Sequence, residues 1–355
     1  PWNFPVGLTF APLASIFAAG NRSVVKPSEF TPHTSNLLKE LVETYFDETE
    51  LAVVTGGPKV GAAFAQLPFD HLLFTGGTAI APHILSAASQ GIVPVTLELG
   101  GKSPVIVSDT ADFDLAAKRI MNGKMMNAGQ ICLAPDYIMV SKERHDELVD
   151  GLQKAAKEMY PTLKDNDDYT SVINERHYDR INGYLKDAAR KKAEIVEINP
   201  ANEDFRQQQH YKIPPTLVLK PSDKMKVMQE EIFGPILPIK TYDSVHEAIT
   251  YVNDRPHPLA IYYFGNDKEQ ENRIVSQTTS GGVCVNDVLS HIQQEDLPFG
   301  GVGPSGTGSY YGFDGFKNFS HAKAVYRQTK NDMVTSMLRP PYGEKILGLL
   351  KSMTK

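Results

Sequence analysis

Two cysteines are the first residues in this chain whose type permits covalent chemistry. Cys132 closes the stretch "NAGQIC" (127–132), at the end of a helical pattern that can leave its side chain in a loop. Cys284 alternates with valines in a strand pattern, so we predict a structural role for it. For Cys132 two interpretations stay open. A free cysteine is usually a small buried hydrophobe, whereas an accessible thiolate can attack a carbonyl carbon.

A thiolate that attacks a carbonyl needs a donor for the developing oxyanion and a group that handles protons. Asn3 in "PWNFP" can supply an amide N–H, and Glu98 ends a strand pattern just before a Gly-Gly turn. Burial at that position would raise the pKa of Glu98 toward the working range of a base. Each residue also has an ordinary interpretation, Asn3 as a turn residue and Glu98 as an ion-paired strand residue.

Glycine-rich turns are the candidates for nucleotide binding. Gly76 and Gly77 in "FTGGTAIAP" lie between a strand pattern and a helix pattern, where main-chain N–H groups can face a pyrophosphate. The literal G-x-G-x-x-G at 301–306 is rejected, because no helix pattern follows it. We predict a glycine-rich loop there. Lys26 and Glu29 in "KPSE" place a cation and a carboxylate beside a turn, which on its own indicates a solvated loop.

Strand and helix patterns alternate along the chain, as they must to position these residues. The first series has strands at 51–57, 71–77, 94–99 and 103–108, with helices at 34–46, 78–91, 112–126 and 143–160. A second series runs from about 213 to 286, and an amphipathic helix is predicted near the C-terminus at 344–355. This β-α-β rhythm predicts an α/β protein with a parallel sheet and crossover helices.

Length and composition exclude several classes of function. The chain has 355 residues, which suggests two domains. Its net charge of −6 does not indicate the basic surface that binds nucleic acid. Two distant cysteines form neither a disulfide framework nor a zinc site, so we expect no metal and a reducing, cytoplasmic location. No stretch approaches about 18 uninterrupted apolar residues, so no membrane span is predicted.

Seven motifs occur in one order along the chain: "PWNFP", "KPSE", "FTGG", "LELGGK", "NAGQIC", "EEIFGP" and "PFGGVGPSG". This order resembles the NAD(P)-dependent aldehyde dehydrogenase family over nearly the whole chain. The stretches "NAGQICLAPDY", "GGVCVND" and "RPPYGEK" are similar to the branch of class-three, fatty and coniferyl aldehyde dehydrogenases. The resemblance implies the aldehyde dehydrogenase fold, with a Rossmann-like cofactor domain and an α/β catalytic domain.

The resemblance also implies a separate catalytic role for each of three residues. Cys132 would be the nucleophile that forms a thiohemiacetal and, after hydride transfer to the nicotinamide, a thioester. Asn3 and the Cys132 main-chain N–H would hold the oxyanion. Glu98 would activate the water that hydrolyses the thioester, and its presence favours water over coenzyme A as the final acceptor. A phosphorylating mechanism would require a Cys–His pair, and no histidine lies next to Cys132 in the sequence.

Cofactor binding is implied for residues in three of the motifs: Lys26, Glu29, Gly76, Gly77, Glu231 and Phe233. The first two would meet the adenosine ribose, the glycines would lie near the pyrophosphate, and the last two would hold the nicotinamide end. A carboxylate at Glu29 would repel a 2′-phosphate, so we expect NAD, with NADP possible.

The expected domains are a partial cofactor-binding domain at 1–99 and a catalytic domain at 100–308. A C-terminal segment at 309–355 would return to the cofactor domain and to the subunit interface of a homodimer. Family members carry further strands before "PWNFP", so we expect an N-terminally truncated cofactor domain. Asn3 would then lie on a frayed terminus, and folding or activity would be impaired.

The expected reaction is oxidation of an aldehyde by NAD(P)⁺ and water to a carboxylic acid. The substrate would be an aromatic aldehyde such as coniferyl aldehyde, or a medium-to-long aliphatic one. Two alternatives stay open. One is a catalytically inactive truncated fragment. The other is a cofactor-independent cysteine hydrolase, which would need a histidine partner and would leave "KPSE" and "EEIFGP" unexplained.

Overall fold

The structure is a computed structural model that describes residues 1–332, 335–336 and 339–354. The chain divides into two compact units, Pro1–Ser320 and His321–Lys355. All the predicted site residues lie in the first unit. The domain borders expected at 99/100 and 308/309 stay predictions. In the described residues, no helix is long and apolar enough to cross a membrane.

Strands and helices alternate through the first unit, and a helix lies near the end of the second. The strands are β1 (Ser23–Val25), β2 (Leu51–Val53), β3 (Leu72–Thr75), β4 (Val95–Glu98), β5 (Pro104–Val107), β6 (Tyr137–Ser141), β7 (Glu194–Glu197), β8 (Thr216–Leu219), β9 (Ile236–Tyr242), β10 (Ala260–Phe264), β11 (Gly282–Val285) and β12 (Gly306–Thr307). The helices are α1 (Gly7–Ala18), α2 (Pro32–Tyr45), α3 (Pro58–Phe64), α4 (Ala81–Ser89), α5 (Phe113–Met125), α6 (His145–Met159), α7 (Glu175–Arg190), α8 (Lys226–Gln229), α9 (Val245–Asn253), α10 (Lys268–Gln277), α11 (Gly312–Asn318) and α12 (Gly343–Met353). Short 3₁₀ helices span Met126–Gly129, Lys142–Arg144 and Ser290–Gln293.

A seven-stranded sheet in the order β11-β10-β5-β6-β9-β8-β7 forms the centre of the first unit. Every pair in it is parallel except β7–β8. All residues of β5, β6 and β10 are buried, as expected for apolar strands of a parallel sheet with both faces covered. The predicted α/β fold with a parallel sheet is therefore confirmed, and the antiparallel edge strand β7 is an addition to it.

Two smaller sheets carry the N-terminal motifs. Strands β1 and β2 pair in parallel, and β4 pairs in parallel with β3 and antiparallel with β12. Strand β12 is part of the rejected glycine motif, and its Gly306 pairs with Glu98. A Cβ at Gly306 would lie 2.2 Å from the Leu97 carbonyl oxygen, so only glycine fits there. The glycine loop thus completes the sheet beside Glu98.

Candidate active site

One cavity of about 210 Å³ in the first unit collects residues from five of the seven motifs. Seven of the nine predicted site residues line it: Asn3, Gly76, Gly77, Glu98, Cys132, Glu231 and Phe233. Lys26 and Glu29 do not line this cavity. The cavity therefore brings the candidate nucleophile, oxyanion donor and base together with most of the implied cofactor residues.

The loop that carries Cys132 follows helix α5, which begins at an Asp112 cap and ends at Met125. The chain then passes through left-handed backbone at Asn127, Ala128 and Gly129, with φ of 50°, 50° and 72°. A Cβ at Gly129 would lie 2.4 Å from the Gly234 carbonyl oxygen. Only glycine allows this approach, so the "NAGQIC" loop packs directly on the loop that follows Glu231.

Gln130 and Asn3 fix this loop from two sides. The Gln130 side-chain amide donates to the main-chain oxygens of Asn127 and Ser171 and accepts from the Ile173 N–H, each at 3.0 Å. Asn3 Nδ2 donates to the Gln130 main-chain oxygen at 3.2 Å, and Asn127 Nδ2 donates to the Asn3 main-chain oxygen at 3.2 Å. These long-range hydrogen bonds hold Asn3 in place. The expectation that Asn3 lies on a frayed terminus is therefore wrong.

Cys132 is partly buried. Its surroundings disfavour the thiolate form in the free protein. Burial, followed by the charges of Glu231 and Glu98, raises the pKa of the Cys132 thiol to about 12. The main-chain N–H groups of Cys132 and Leu133 face the sulfur and act in the opposite direction. The thiol therefore needs a base, or a change in the charges around it, before it can attack.

Glu98 ends β4 with 3% of its surface exposed. Neither carboxylate oxygen has a hydrogen-bond partner among the described residues. Burial raises the pKa of Glu98 well above its ordinary value of 4.5. A buried carboxylate without partners is costly. The same arrangement favours uptake of a proton by the carboxylate, which is what a general base does.

Glu231 lies on a loop that is held by main-chain contacts. Its Oε1 accepts from the Gly101 N–H at 3.1 Å. Arg180 of α7 donates to three consecutive carbonyl oxygens, those of Glu231 (3.3 Å), Ile232 (2.8 Å) and Phe233 (3.4 Å). Phe233 has a left-handed φ of 48°, and its ring meets Trp2 edge-on at 5.5 Å. Burial, followed by the charge of Asp136, raises the pKa of Glu231 to about 7.

A sequence model of the aldehyde dehydrogenase family matches residues 1–325. The chain belongs to the aldehyde dehydrogenase family. It is 59% identical to the probable coniferyl aldehyde dehydrogenase of Caulobacter vibrioides, over 100% of this chain and 73% of that protein. It is 55% identical to the coniferyl aldehyde dehydrogenase of Pseudomonas sp. strain HR199, over 99% of this chain and 73% of that protein.

Solved aldehyde dehydrogenases share the fold. The substrate-bound state of Staphylococcus aureus AldH superposes with a TM-score of 0.90 at 39% identity, over 100% of this chain and 76% of that chain. The Mycobacterium tuberculosis aldehyde dehydrogenase complexed with NAD⁺ gives a TM-score of 0.85 at 30% identity, over 93% and 68% of the two chains. The resemblance drawn from the seven motifs is confirmed at the level of family and fold.

Lys26 and Glu29 pair with each other in this aldehyde dehydrogenase. Lys26 Nζ lies 3.2 Å from Glu29 Oε2 and donates to the Pro27 carbonyl oxygen at 3.1 Å. Burial alone would raise the pKa of Glu29, but a main-chain hydrogen bond, Lys26 and Arg176 hold it below its ordinary value. Glu29 is therefore a carboxylate at neutral pH, and its role toward a ribose stays a prediction.

Several residues that shape the site were not identified from the sequence. Trp2, His177 and Arg180 line the cavity, and burial, followed by Arg180 and Arg176, lowers the pKa of His177 to about 4. Trp2 lies in the motif "PWNFP", but the motif gave it no role of its own. Nothing in the local patterns marks His177 and Arg180, because their contacts with Trp2 and with the 231–233 carbonyls join segments far apart in the chain. In the part of the chain that the structure describes, no group of three or more His, Cys, Asp or Glu could hold a metal ion.

Proposed function

We propose that this aldehyde dehydrogenase oxidises an aldehyde to the carboxylic acid with NAD(P)⁺ and water, through covalent attachment to Cys132. The observation that carries the proposal is the shared cavity of Cys132, Asn3 and Glu98 with Gly76, Gly77, Glu231 and Phe233. A thiol, an amide donor and a partnerless carboxylate are the groups that thioester chemistry needs.

The first step is attack of Cys132 Sγ on the aldehyde carbon, which forms a C–S bond and places negative charge on the former carbonyl oxygen. Asn3 has two amide N–H bonds, and the described hydrogen bond to Gln130 uses one of them. The second N–H, together with the Cys132 main-chain N–H, can hold the oxyanion. Donors of this kind typically contribute about 10²–10³-fold in rate.

Glu98 handles the protons on both sides of the covalent intermediate. It receives the thiol proton, because a thiol with a pKa of about 12 does not ionise by itself near neutral pH. After the carbon has lost its hydride, the thioester remains on Cys132. Glu98 then releases the thiol proton to solvent water and, as a carboxylate again, removes a proton from a second water molecule, whose oxygen attacks the thioester carbon. The C–S bond breaks, and the carboxylic acid leaves.

The residues around the cavity fit a dinucleotide. A Cβ at Gly77 would meet no atom within 4 Å, so there is open space beside the main chain between β3 and α4 for a pyrophosphate. Glu231 would hold the nicotinamide ribose, Phe233 would pack against that end, and Lys26 with Glu29 would meet the adenosine ribose. When bound, NAD(P)⁺ supplies the acceptor for the hydride.

An aromatic substrate is favoured. Both relatives described above carry coniferyl aldehyde dehydrogenase in their names, at 55% and 59% identity. Phe299, Tyr310 and Tyr311 form a set of aromatic rings with centroids 4.9–5.6 Å apart. Cys132 packs on the same apolar cluster. Phe299 and Tyr310 are buried and none of the three rings lines the cavity, so the names of the two relatives are the main support for an aromatic substrate.

The test is an assay of the purified protein with NAD⁺ and with NADP⁺ over coniferyl, cinnamyl and aliphatic aldehydes, followed at 340 nm. We expect the highest kcat/KM with an aromatic aldehyde and NAD⁺. Absence of reduced cofactor with every aldehyde would refute the proposal, and ester hydrolysis without it would favour the cysteine hydrolase. The homodimer expected from the resemblance stays a prediction, which a solution mass measurement checks.

A further inference from the structure

Lys102 and Asp136 form an ion pair that is withdrawn from solvent and makes hydrogen bonds on both sides. Lys102 Nζ pairs with Asp136 Oδ2, and the two side chains are 14% and 4% exposed. Lys102 Nζ also donates to the carbonyl oxygens of Val227 (2.8 Å) and Glu230 (3.0 Å). Asp136 Oδ1 accepts from the Ile232 N–H at 2.9 Å. Both charges are therefore compensated by specific partners.

The place of this pair in the chain is informative. Lys102 follows the Gly-Gly turn after Glu98, and Asp136 follows the loop that carries Cys132. Two of the three main-chain partners, Glu230 and Ile232, are the immediate neighbours of Glu231, and the third, Val227, lies four residues before it. One ion pair thus joins the three segments that carry the candidate base, the nucleophile and the carboxylate assigned to the cofactor.

We propose that Lys102 and Asp136 are positioning residues that fix the Glu231 carboxylate relative to Gly101 and Cys132. They thereby set the placement of the nicotinamide end of the cofactor. This inference rests on the function proposed above. A buried ion pair generally contributes little net stability compared with apolar residues of the same volume. The role of this ion pair is instead to fix the positions of three separate segments relative to one another.

The charges of the pair also act on Glu231 in opposite directions. Asp136 raises the pKa of Glu231, whereas Lys102 and Arg180 lower it, together with a hydrogen bond from Gly101. The buried Lys124 also interacts electrostatically with Glu231. Removal of the Asp136 charge should therefore move the Glu231 titration to lower pH. Removal of the Lys102 charge should move it to higher pH, and loss of packing alone would not produce opposite shifts.

The experiment compares Lys102→Met and Asp136→Asn with the Lys240→Met control. Lys240 forms an ion pair with Asp223 at 3.1 Å on the same large sheet but lines no part of the cavity. We expect each site variant to raise KM for NAD⁺ by roughly 10–100-fold and the control to leave it unchanged. The double variant should raise KM for NAD⁺ little more than either single variant does, because each substitution breaks the same ion pair.

A second readout does not depend on the cofactor. The rate of Cys132 alkylation by iodoacetamide, measured from pH 5.5 to 9 in a background that combines Cys284→Ala with Glu98→Gln, reports the charge on Glu231, because Glu98 no longer titrates. We expect an inflection near pH 7 that moves down in Asp136→Asn and up in Lys102→Met. Unmoved or parallel inflections would overturn the inference even if the dehydrogenase activity is confirmed.

Opposite shifts without any reduction of NAD(P)⁺ would instead overturn the proposed function and leave the positioning role standing. If a single variant fails to fold, Lys102→Arg and Asp136→Glu supply the same comparison. They retain the charges and change the geometry, so we expect KM to rise while the inflection stays near pH 7. An unchanged KM in these variants would contradict a positioning role.

Discussion

Asn3 Nδ2 donates to the main-chain oxygen of Gln130 at 3.2 Å, across 127 residues of chain and two residues before Cys132. In return, the loop donates to the Asn3 main-chain oxygen through Asn127. The first motif of the chain is therefore tied directly to the nucleophile loop. A side-chain amide held at one hydrogen can offer its second hydrogen in a fixed direction, which is the requirement for an oxyanion donor.

Asn3→Ala should lower kcat/KM by about 10²–10³-fold, because it removes an oxyanion donor. Asn3→Asp should be at least as damaging, since it adds negative charge where an oxyanion develops. Steady-state kinetics with one aromatic aldehyde measure both. Asn21→Ala is the matched control. Asn21 does not line the cavity, and its Nδ2 likewise donates to main-chain oxygens, those of Ile16 and Phe319. A comparable kcat/KM for Asn3→Ala and Asn21→Ala would remove Asn3 from the mechanism.

Cys132→Ala should abolish formation of NAD(P)H, whereas Cys284→Ala should retain most of it. Both are free thiols, but only Cys132 lines the cavity, and Cys284 is buried in β11. Absorbance at 340 nm and thermal unfolding of both variants provide the measurement. Turnover in Cys132→Ala would exclude it as the nucleophile. Loss of turnover in a folded Cys284→Ala would give Cys284 a role beyond packing.

Alkylation of Cys132 should be slow at neutral pH in the free protein, because burial and the charges of Glu231 and Glu98 raise its pKa to about 12. Between pH 8 and 10 the thiolate fraction, and so the rate, should rise about tenfold per pH unit. Mass spectrometry of iodoacetamide-treated Cys284→Ala protein gives the rate. Glu231→Gln should accelerate the reaction at pH 8 more than Glu98→Gln does. A plateau below pH 9 would show that the thiol is already activated in the free protein.

Local patterns predicted the elements that carry the site, because they depend on neighbouring residues. The helix pattern before "NAGQIC" became α5, which an Asp112 cap begins, and the strand before the Gly-Gly turn became β4. The helix expected at 78–91 begins later, at Ala81, because Pro82 fits the first turn of a helix better than its interior.

Long-range contacts could not be predicted in the same way. The pairing of Gly306 with Glu98 and the donation of Arg180 to the 231–233 carbonyls depend on tertiary packing. Glycine in a loop and arginine on a helix are common, and their sequence neighbours give no partner. The seven ordered motifs identified most residues of the cavity, whereas the residues that hold those motifs together became apparent only in three dimensions.

Glu98→Gln should slow hydrolysis of the thioester more than hydride transfer, because the variant has no base for water. The expected signature is a burst of NADH equal to the enzyme concentration, slower than in the natural protein because Glu98 also takes up the thiol proton, followed by a much slower steady rate. Stopped-flow absorbance resolves the two phases. A burst slowed as much as the steady rate would contradict a special role of Glu98 in hydrolysis of the thioester.

The same variant should also change the pH dependence of stability. Burial raises the pKa of Glu98 above its ordinary value of 4.5, so the folded chain binds more protons than the unfolded chain above that pH. The free energy of unfolding therefore falls as the pH rises toward the folded pKa. Glu98→Gln removes this loss, so its Tm should exceed that of the natural protein by roughly 2 °C or more at pH 8. At pH 4.5 the difference should disappear, and a constant difference would contradict the raised pKa.

Glu29→Gln should shift cofactor preference toward NADP⁺. In the structure Glu29 neutralises Lys26 at 3.2 Å and keeps a negative charge where a 2′-phosphate would lie in the proposed complex. The substitution removes that charge and frees Lys26 to bind a phosphate, so KM for NADP⁺ should fall about tenfold relative to KM for NAD⁺. Glu43→Gln is the control, because Glu43 pairs with Lys39 on α2 in a similar but more exposed geometry. If Glu29→Gln and Glu43→Gln change the ratio of the two KM values equally, Glu29 does not contact the ribose.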